Sequence, residues 1–249
     1  GYVVDGYFKT DEEARNYKVD QSFVNQMINA SALDNGLHAG DLKFVDLDGN
    51  NKIEQTTSAN DRKDMKVIGN SLPRYNYNFG ISADWYGIDF SVLFQGIGKQ
   101  NWYPGAETSM FWGPYSRPYA SFIPSDFMSQ VWSEENTDAY FPRPRGYVAL
   151  GSNRELAVVN TKYLQNLAYC RLKNLSIGYT LPDKWLSKIG FEKIRVYFSG
   201  ENLLTFTKLH SDYIDPEQAS ASNSWKTSKS DANIYPWAKT YSFGVDITF

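Results

Sequence analysis

Strict alternation of apolar and polar residues is the strongest pattern along the chain. From Tyr75 to Trp85 the odd positions are Tyr75, Tyr77, Phe79, Ile81, Ala83 and Trp85, and the even ones are Asn76, Asn78, Gly80, Ser82 and Asp84. A period of two puts successive side chains on opposite faces, so the stretch predicts a strand with one apolar and one polar face. Tyr86-Gly87 then predicts a tight turn, after which Ile88, Phe90, Val92 and Phe94 alternate with Asp89, Ser91 and Gln95 to complete a hairpin. The chain ends on the same pattern, Tyr241, Phe243, Val245, Ile247 and Phe249 against Ser242, Gly244, Asp246 and Thr248. Two further strands read out near 167–181 and 194–206, the first with a phase slip near Asn174. Pro182-Asp183-Lys184 and a short stretch to Gly190 separate them.

The predicted strands are therefore 75–85, 88–97, 167–181, 194–206 and 239–249. Their lengths match the roughly 9 to 11 residues of a tilted membrane-crossing strand and exceed the roughly 5 to 6 of an average globular strand. The connections are lopsided: two are brief, whereas 98–165 and 207–238 run far beyond the ~12 to 15 residues of ordinary loops. Short turns on one rim and long loops on the other are the pattern of an outer-membrane barrel. Placing Phe249 at the periplasmic rim and walking back through the strands puts both long loops, and residues 1–74, outside the cell. That first segment reads differently. A capping box of Thr10 and Glu13 predicts a short helix through Tyr17, with another from Ser22 to Ala30. The expected fold class is all-β: C-terminal strands of a large antiparallel transmembrane β-barrel, with a little helix in the first 40 residues. Five strands are fewer than the roughly eight of the smallest membrane barrels, so the rest must lie elsewhere in a longer polypeptide.

Composition adjusts this picture in a few places. Aromatic residues make up 16% of the chain, enough for a large buried or lipid-facing surface. The formal charge of −3 and the lack of a dense Lys/Arg run argue against nucleic acid as a partner. A mean hydropathy of −0.49 is compatible with a barrel, because every second residue of a wall strand faces the lumen and can be polar. Cys170, the single cysteine, cannot form an internal disulfide, and His38 and His210 are too few for an imidazole metal cluster. The start at Gly1, without an initiator Met or a signal segment, points to a fragment or a processed piece.

Asp46-x-Asp48-x-Asn50-x-Lys52 places oxygen donors at positions 1, 3 and 5 of an EF-hand-like loop, with the Lys52 carbonyl at position 7. Hard Ca²⁺ takes six to eight oxygens, and alternate side chains on a tight turn converge on one point. Position 12 is Thr57 rather than Glu, so closure falls to Asp61 or Glu54, and a solvated Asp/Asn/Gly turn is the competing reading. Any such ion would be structural. Trp102, Tyr103, Phe111, Trp112, Tyr115 and Tyr119 crowd one long loop. Trp102, Tyr103, Trp112, Tyr115 and Tyr119 are candidates for stacking on a sugar or a partner, and a loop folding on its own side chains is the alternative. The polar row Asn76, Asn78, Ser82 and Asp84 lines a solute path or contacts a plug. Enzyme signatures are missing: the chain has no Gly-x-Ser-x-Gly elbow, no phosphate loop and no His-Glu-x-x-His helix. Glu12-Glu13 and Glu134-Glu135 are adjacent pairs whose members face different ways, which suits solvated charge better than the paired carboxylates of a glycosidase.

A series of pieces then resembles one family in order along the whole chain. They run from Gly1-Tyr2 and Asp5-Gly6 through Gly40-Asp41-Leu42-Lys43-Phe44, Asp46-Leu47-Asp48-Gly49-Asn50, Asp61-Arg62 and Ile68-Gly69 to Pro73-Arg74-Tyr75-Asn76-Tyr77. Gly87-Ile88-Asp89-Phe90-Ser91, Phe94-Gln95-Gly96, Trp132-Ser133-Glu134-Glu135-Asn136 and Pro142-Arg143 follow. Arg171-Leu172-Lys173-Asn174, Gly178-Tyr179-Thr180-Leu181-Pro182, Gly200-Glu201-Asn202-Leu203-Leu204-Thr205 and Asp215-Pro216-Glu217 complete the series. The chain resembles the SusC/RagA-like TonB-dependent transporters. The resemblance implies a Gram-negative outer-membrane barrel with an N-terminal plug, energised by TonB through a part outside this chain and capped by a SusD-like surface lipoprotein. It implies uptake of oligosaccharides or peptides, with the lipid bilayer as surroundings. Phe249 then resembles the terminal signal by which such barrels are recognised for assembly. The alternative is a secreted β-sandwich that binds polysaccharide through the aromatic loop, with calcium pinning a turn. The two readings separate on whether Phe79, Phe90 and Phe243 are tucked between stacked sheets.

Overall fold

A computed structural model describes residues 1–25, 36–58, 60–116, 123–144, 147–151, 154–187, 190–222, 229–230 and 235–249. Ten strands are present among the described residues: β1 Val4–Tyr7, β2 Leu42–Phe44, β3 Arg74–Trp85, β4 Ile88–Lys99, β5 Asn101–Pro104, β6 Gln165–Asn166, β7 Tyr169–Thr180, β8 Lys193–Thr207, β9 Lys229–Ser230 and β10 Thr240–Thr248. The chain divides into two compact units. One combines residues 1–71, 102–165 and 222–233, and the other combines 72–101, 166–221 and 234–249. This differs from the linear division at residue 74 read from the sequence: most of the long loop 98–165 folds into one body with the first segment. No helix among the described residues is long and apolar enough to cross a membrane, which says nothing of a barrel.

The second unit is built on one antiparallel sheet in the order β10-β8-β7-β4-β3. The β3–β4 hairpin closes through Tyr86 and Gly87, both at positive φ (47° and 84°), which suits a two-residue turn matched to strand twist. Gly87 is well placed there. The Gly87 carbonyl accepts the Thr180 N–H at 2.7 Å, tying the turn to β7. The phase slip read near Asn174 is a bulge: Leu172 opposes Phe94 and Asn174 opposes Leu93, so Lys173 is the extra residue. Across the other edge of β7, Leu204 opposes Leu172 and Glu201 opposes Asn174, with Asn202 at φ 53° between them. The irregularity thus spans both neighbours and re-aims Lys173.

The first unit packs around aromatic rings. β1 pairs with β2 through Val4 opposite Phe44 and Tyr7 opposite Leu42. The Thr10 cap forms as read, its Oγ1 accepting the Glu13 N–H at 3.1 Å, while Glu13 Oε2 accepts the Lys9 N–H at 2.9 Å rather than that of Thr10; the helix runs over Asp11–Arg15. The helix is one turn long and ends before Tyr17. Residues 22–24 of the second expected helix form a turn, and 26–30 lie outside the described residues. Trp102, Tyr103, Trp112, Tyr115, Tyr163, Phe8 and Phe44 are fully buried. Three of the buried ring tips have partners that offset their desolvation. Trp112 Nε1 donates to Gly105 O at 2.9 Å, Tyr103 Oη to Leu156 O at 2.8 Å and Tyr115 Oη to Pro142 O at 2.5 Å.

Candidate functional site

Strand register converts the sequence alternation into two continuous surfaces. On one, Phe79 faces Phe94, Ile81 faces Val92 and Ala83 faces Phe90; the row continues through Ile177, Phe198 and Phe243 into β10. Phe79 and Phe94 stack with centroids 4.9 Å apart, and Phe198 meets Phe243 at 5.2 Å. These rings are not inside a sandwich. Phe243 is 83% exposed and Phe79 48%, while Phe90 is half-buried, and among the described residues no second sheet of this unit covers them. The sandwich arrangement is therefore not the one adopted.

The opposite surface carries Asn76, Asn78, Ser82 and Asp84 from β3, Gln95, Ser91 and Asp89 from β4, and the matching positions of β7, β8 and β10. At the hairpin end it is organised by Arg195. Its Nε and Nη2 donate to the two oxygens of Asp89 at 2.8 and 2.5 Å, and Nη1 reaches Asp246 at 3.3 Å. The guanidinium also lies 4.7 Å from the Tyr197 ring centroid. Gly178 makes room for this pair, since a Cβ there would stand 2.3 Å from Asp89 Oδ2 and 2.6 Å from Arg195 Nε. Toward the other end a hollow of about 910 Å³ is lined by the polar side chains of Asn76, Asn78, Gln95 and Ser220 together with Pro73, Tyr77 and Ile97, with no charged group among them.

In the first unit the carboxylates of Asp46, Asp48 and Asp64 bring one oxygen each within 4.8 Å of one another. Asp46 folds the turn onto itself: Oδ1 accepts the Gly49 N–H and Oδ2 the Asn51 N–H, both at 2.7 Å. Desolvation opposes ionisation of Asp46, but the N–H groups of Asn51, Gly49, Asn50 and Asp48 together outweigh it and hold the carboxyl below its ordinary value. Asp64 is fully buried and accepts from Leu47 N at 2.8 Å and Glu54 N at 2.7 Å. The third carboxylate of this group is Asp64, where the sequence pointed to Asp61 or Glu54. Asp61 instead lies 3.7 Å from Lys63 Nζ and outside the group, and Glu54 is engaged by Lys63 and Lys52 at 3.6 and 3.7 Å. The Asn50 side-chain oxygen accepts the Lys52 N–H at 2.8 Å. Three carboxylates this close to one another fit a hard divalent cation of the calcium type. Spacing could not have found Asp64, because it reaches the turn from 18 residues beyond Asp46 through the intervening fold.

The aromatic candidates fall elsewhere. Trp102, Tyr103, Trp112 and Tyr115 are core residues at 0 to 1% exposure, so they cannot stack on a ligand without unfolding the loop; Tyr119 lies outside the described residues. Phe249 follows β10, is largely exposed, and packs 5.2 Å from Phe191.

No family model matches the chain. Among curated proteins it is 31% identical over 212 residues to TonB-dependent receptor P3 of Formosa agariphila, covering 83% of this chain and 19% of that protein. It is 26% identical to TonB-dependent receptor P26 and 25% identical to TonB-dependent receptor P39 of the same organism, covering 89% and 100% of this chain and 21% and 24% of theirs. The chain thus spans about a fifth of the length of the curated relatives it matches. Among solved structures, the RagAB peptide transporter superposes with a TM-score of 0.54 at 21% identity, over 100% of this chain and 22% of that one. The RagAB peptide importer in its 'open-open' state gives 0.52 at 20% identity, with the same coverage. These likenesses share the all-β fold. In sequence the chain is thus similar to TonB-dependent receptors, and in fold to the RagAB transporter.

Proposed function

We propose that the chain supplies five consecutive wall strands of a TonB-dependent importer in the outer membrane of a Gram-negative bacterium. The carrying observation is the two-faced sheet: an apolar surface of Phe, Ile, Val and Leu left open to its surroundings, backed by a surface of amides, hydroxyls and ion pairs. Apolar side chains at such exposure are costly in water and favourable against acyl chains, at about 25 cal/mol per Å². The short β3–β4 and β7–β8 connections then lie at the periplasmic rim and the long ones outside the cell. The polar face looks into the lumen, toward a plug supplied by the rest of the polypeptide.

In this reading transport is energised by TonB acting on a part of the protein outside this chain, and a SusD-like lipoprotein meets the long extracellular connections. The solute is an oligosaccharide or a peptide; the likeness to RagAB, described as a peptide importer, supports the second at the level of the fold. The chain's own role is wall and rim rather than chemistry. The Asp46–Asp48–Asp64 cluster is read as a structural calcium site that stiffens an exposed turn.

The direct test is made on the full-length transporter. It should fractionate with the outer membrane, resist extraction without detergent, and migrate faster in unheated than in boiled samples, as closed barrels do. Accumulation of a labelled peptide or oligosaccharide should then require TonB. A full-length protein that purifies from the aqueous fraction as a cooperatively melting monomer would overturn the proposal.

A further inference from the structure

Three of the separated sequence motifs meet at one end of the polar face, the end where β4, β7 and β8 join the long connections. Arg171 and Lys173 come from β7, Thr205 from β8, and Asp215 and Glu217 from the segment that follows β8. The buried Arg171 guanidinium uses all three arms: Nε donates to Thr205 Oγ1 at 3.0 Å, Nη1 to Glu217 Oε2 at 2.7 Å and Nη2 to Asp215 Oδ2 at 2.6 Å. Lys173 lies alongside, where Nζ donates to both Glu217 oxygens at 3.1 and 3.0 Å and stands 5.1 Å from the Trp237 ring centroid. The remaining oxygen of Asp215 accepts the N–H groups of Glu217 and Gln218 at 2.9 and 3.3 Å, starting a helix over Pro216–Ser222. One turn further on, Ser220 Oγ donates to Gln100 Oε1 at 2.7 Å, and Leu209, Ile214 and Ala219 are buried.

Two cations and two carboxylates balance, so the cluster is neutral as a unit, and its planar fork makes it selective for this geometry. We propose that Arg171, Lys173, Asp215 and Glu217 form a latch that folds residues 208–222 over the polar face and holds them as a strap at the mouth of the lumen. Placing the strap at a lumen mouth rests on the barrel reading above; the latch itself does not. With Ser220 in its helix, the strap also forms one wall of the hollow lined by Asn76, Asn78 and Gln95.

The test uses the full-length transporter in the outer membrane of intact cells, in a background with Cys170→Ser and any cysteine outside this chain replaced by serine. Ala219→Cys, on the buried side of the strap's own helix, is treated with a membrane-impermeant maleimide. Labelling should be slow in this parent. It should accelerate at least about tenfold in Arg171→Met/Lys173→Met, because breaking a buried ion pair shifts local opening by more than one decade. Asp215→Asn/Glu217→Gln, which leaves the wall untouched, should give the same acceleration and covers the case in which the wall variant fails to assemble. Rapid labelling of the parent, or rates within about twofold in the loop variant, overturns the latch. Lys184→Cys, in the short β7–β8 connection, should stay unlabelled in intact cells. Its labelling would overturn the barrel orientation while the Ala219→Cys comparison still decides the latch.

Discussion

Trp112 and Phe243 are both large aromatic residues of one chain, and the structure treats them in opposite ways. In the unit built from residues 1–71, 102–165 and 222–233, Trp112 is sealed at 0% exposure, edge-on to Phe111 and Tyr163, with its indole N–H paired. In the sheet unit, Phe243 stands 83% exposed beside Phe198, on a strand whose alternate residues are polar. Aromatic content alone therefore predicts neither location. What separates them is the backbone: irregular segments can close around their own rings, whereas a flat strand leaves its rings on one surface for another phase to cover.

The largest effect expected from this contrast is at the sealed site. Trp112→Ala should destabilise the aromatic unit by about 3–5 kcal/mol through lost burial and the cavity left behind. Limited proteolysis of the full-length protein should then cut within residues 102–165 while the barrel remains heat-modifiable. Loss of both together would show that the wall depends on this packing. Next comes the open surface. Val245→Arg, midway along β10 on the apolar face, should cost about 2–4 kcal/mol if that face meets lipid, and within about 0.5 kcal/mol if it meets water. The fraction of full-length protein that assembles into a heat-modifiable form in the outer membrane reads the difference.

The two regions were also unequally legible in the sequence. Wall strands announce themselves because a period of two is local: Tyr75 to Trp85 and Tyr241 to Phe249 display their faces without reference to any partner, and the strands run within a few residues of the pattern. The slip near Asn174 was visible as a break in phase, yet its consequence was not, since only pairing with β4 shows Lys173 to be the extra residue. In the other unit the signals are non-local. Trp102 and Tyr115 read equally well as a binding platform or a core, because burial depends on which surface folds over them. The acidic turn was visible in Asp46, Asp48 and Asn50, but its third carboxylate, Asp64, arrives by tertiary folding and not by spacing.

That carboxylate gives the next test. If Ca²⁺ occupies the turn, adding it at about a hundred times its dissociation constant should stabilise the aromatic unit by roughly 2.7 kcal/mol, seen as slower proteolysis of that unit in the full-length protein. Asp64→Asn should abolish the calcium increment, whereas Asp61→Asn, whose carboxylate faces Lys63, should retain it. An increment that survives Asp64→Asn would remove this residue from the site.

The effect smallest per pH unit, and the most diagnostic of sealing, is alkaline. Burial pushes the Tyr140 hydroxyl up to about 12, against the opposing hydrogen bond from Gln165, and holds Tyr7, Tyr103, Tyr115 and Tyr163 above the ordinary tyrosine value as well. Below pH 10 these groups are neutral whether the unit is folded or not, so their contribution is fully present there. Above it the unfolded chain releases protons that the folded unit retains. The unfolded state then binds fewer protons, and stability falls by about 1.4 kcal/mol per pH unit for each tyrosine, until the folded group itself ionises. For Tyr140 that window runs from about 10 to about 12. Tyrosinate absorbance and proteolysis should therefore rise together as the aromatic unit opens, and replacing Tyr140 by Phe should make the loss shallower by one group. Ionisation of these tyrosines near pH 10 with the unit still protease-resistant would mean that water already reaches them, and the contrast with Phe243 would vanish.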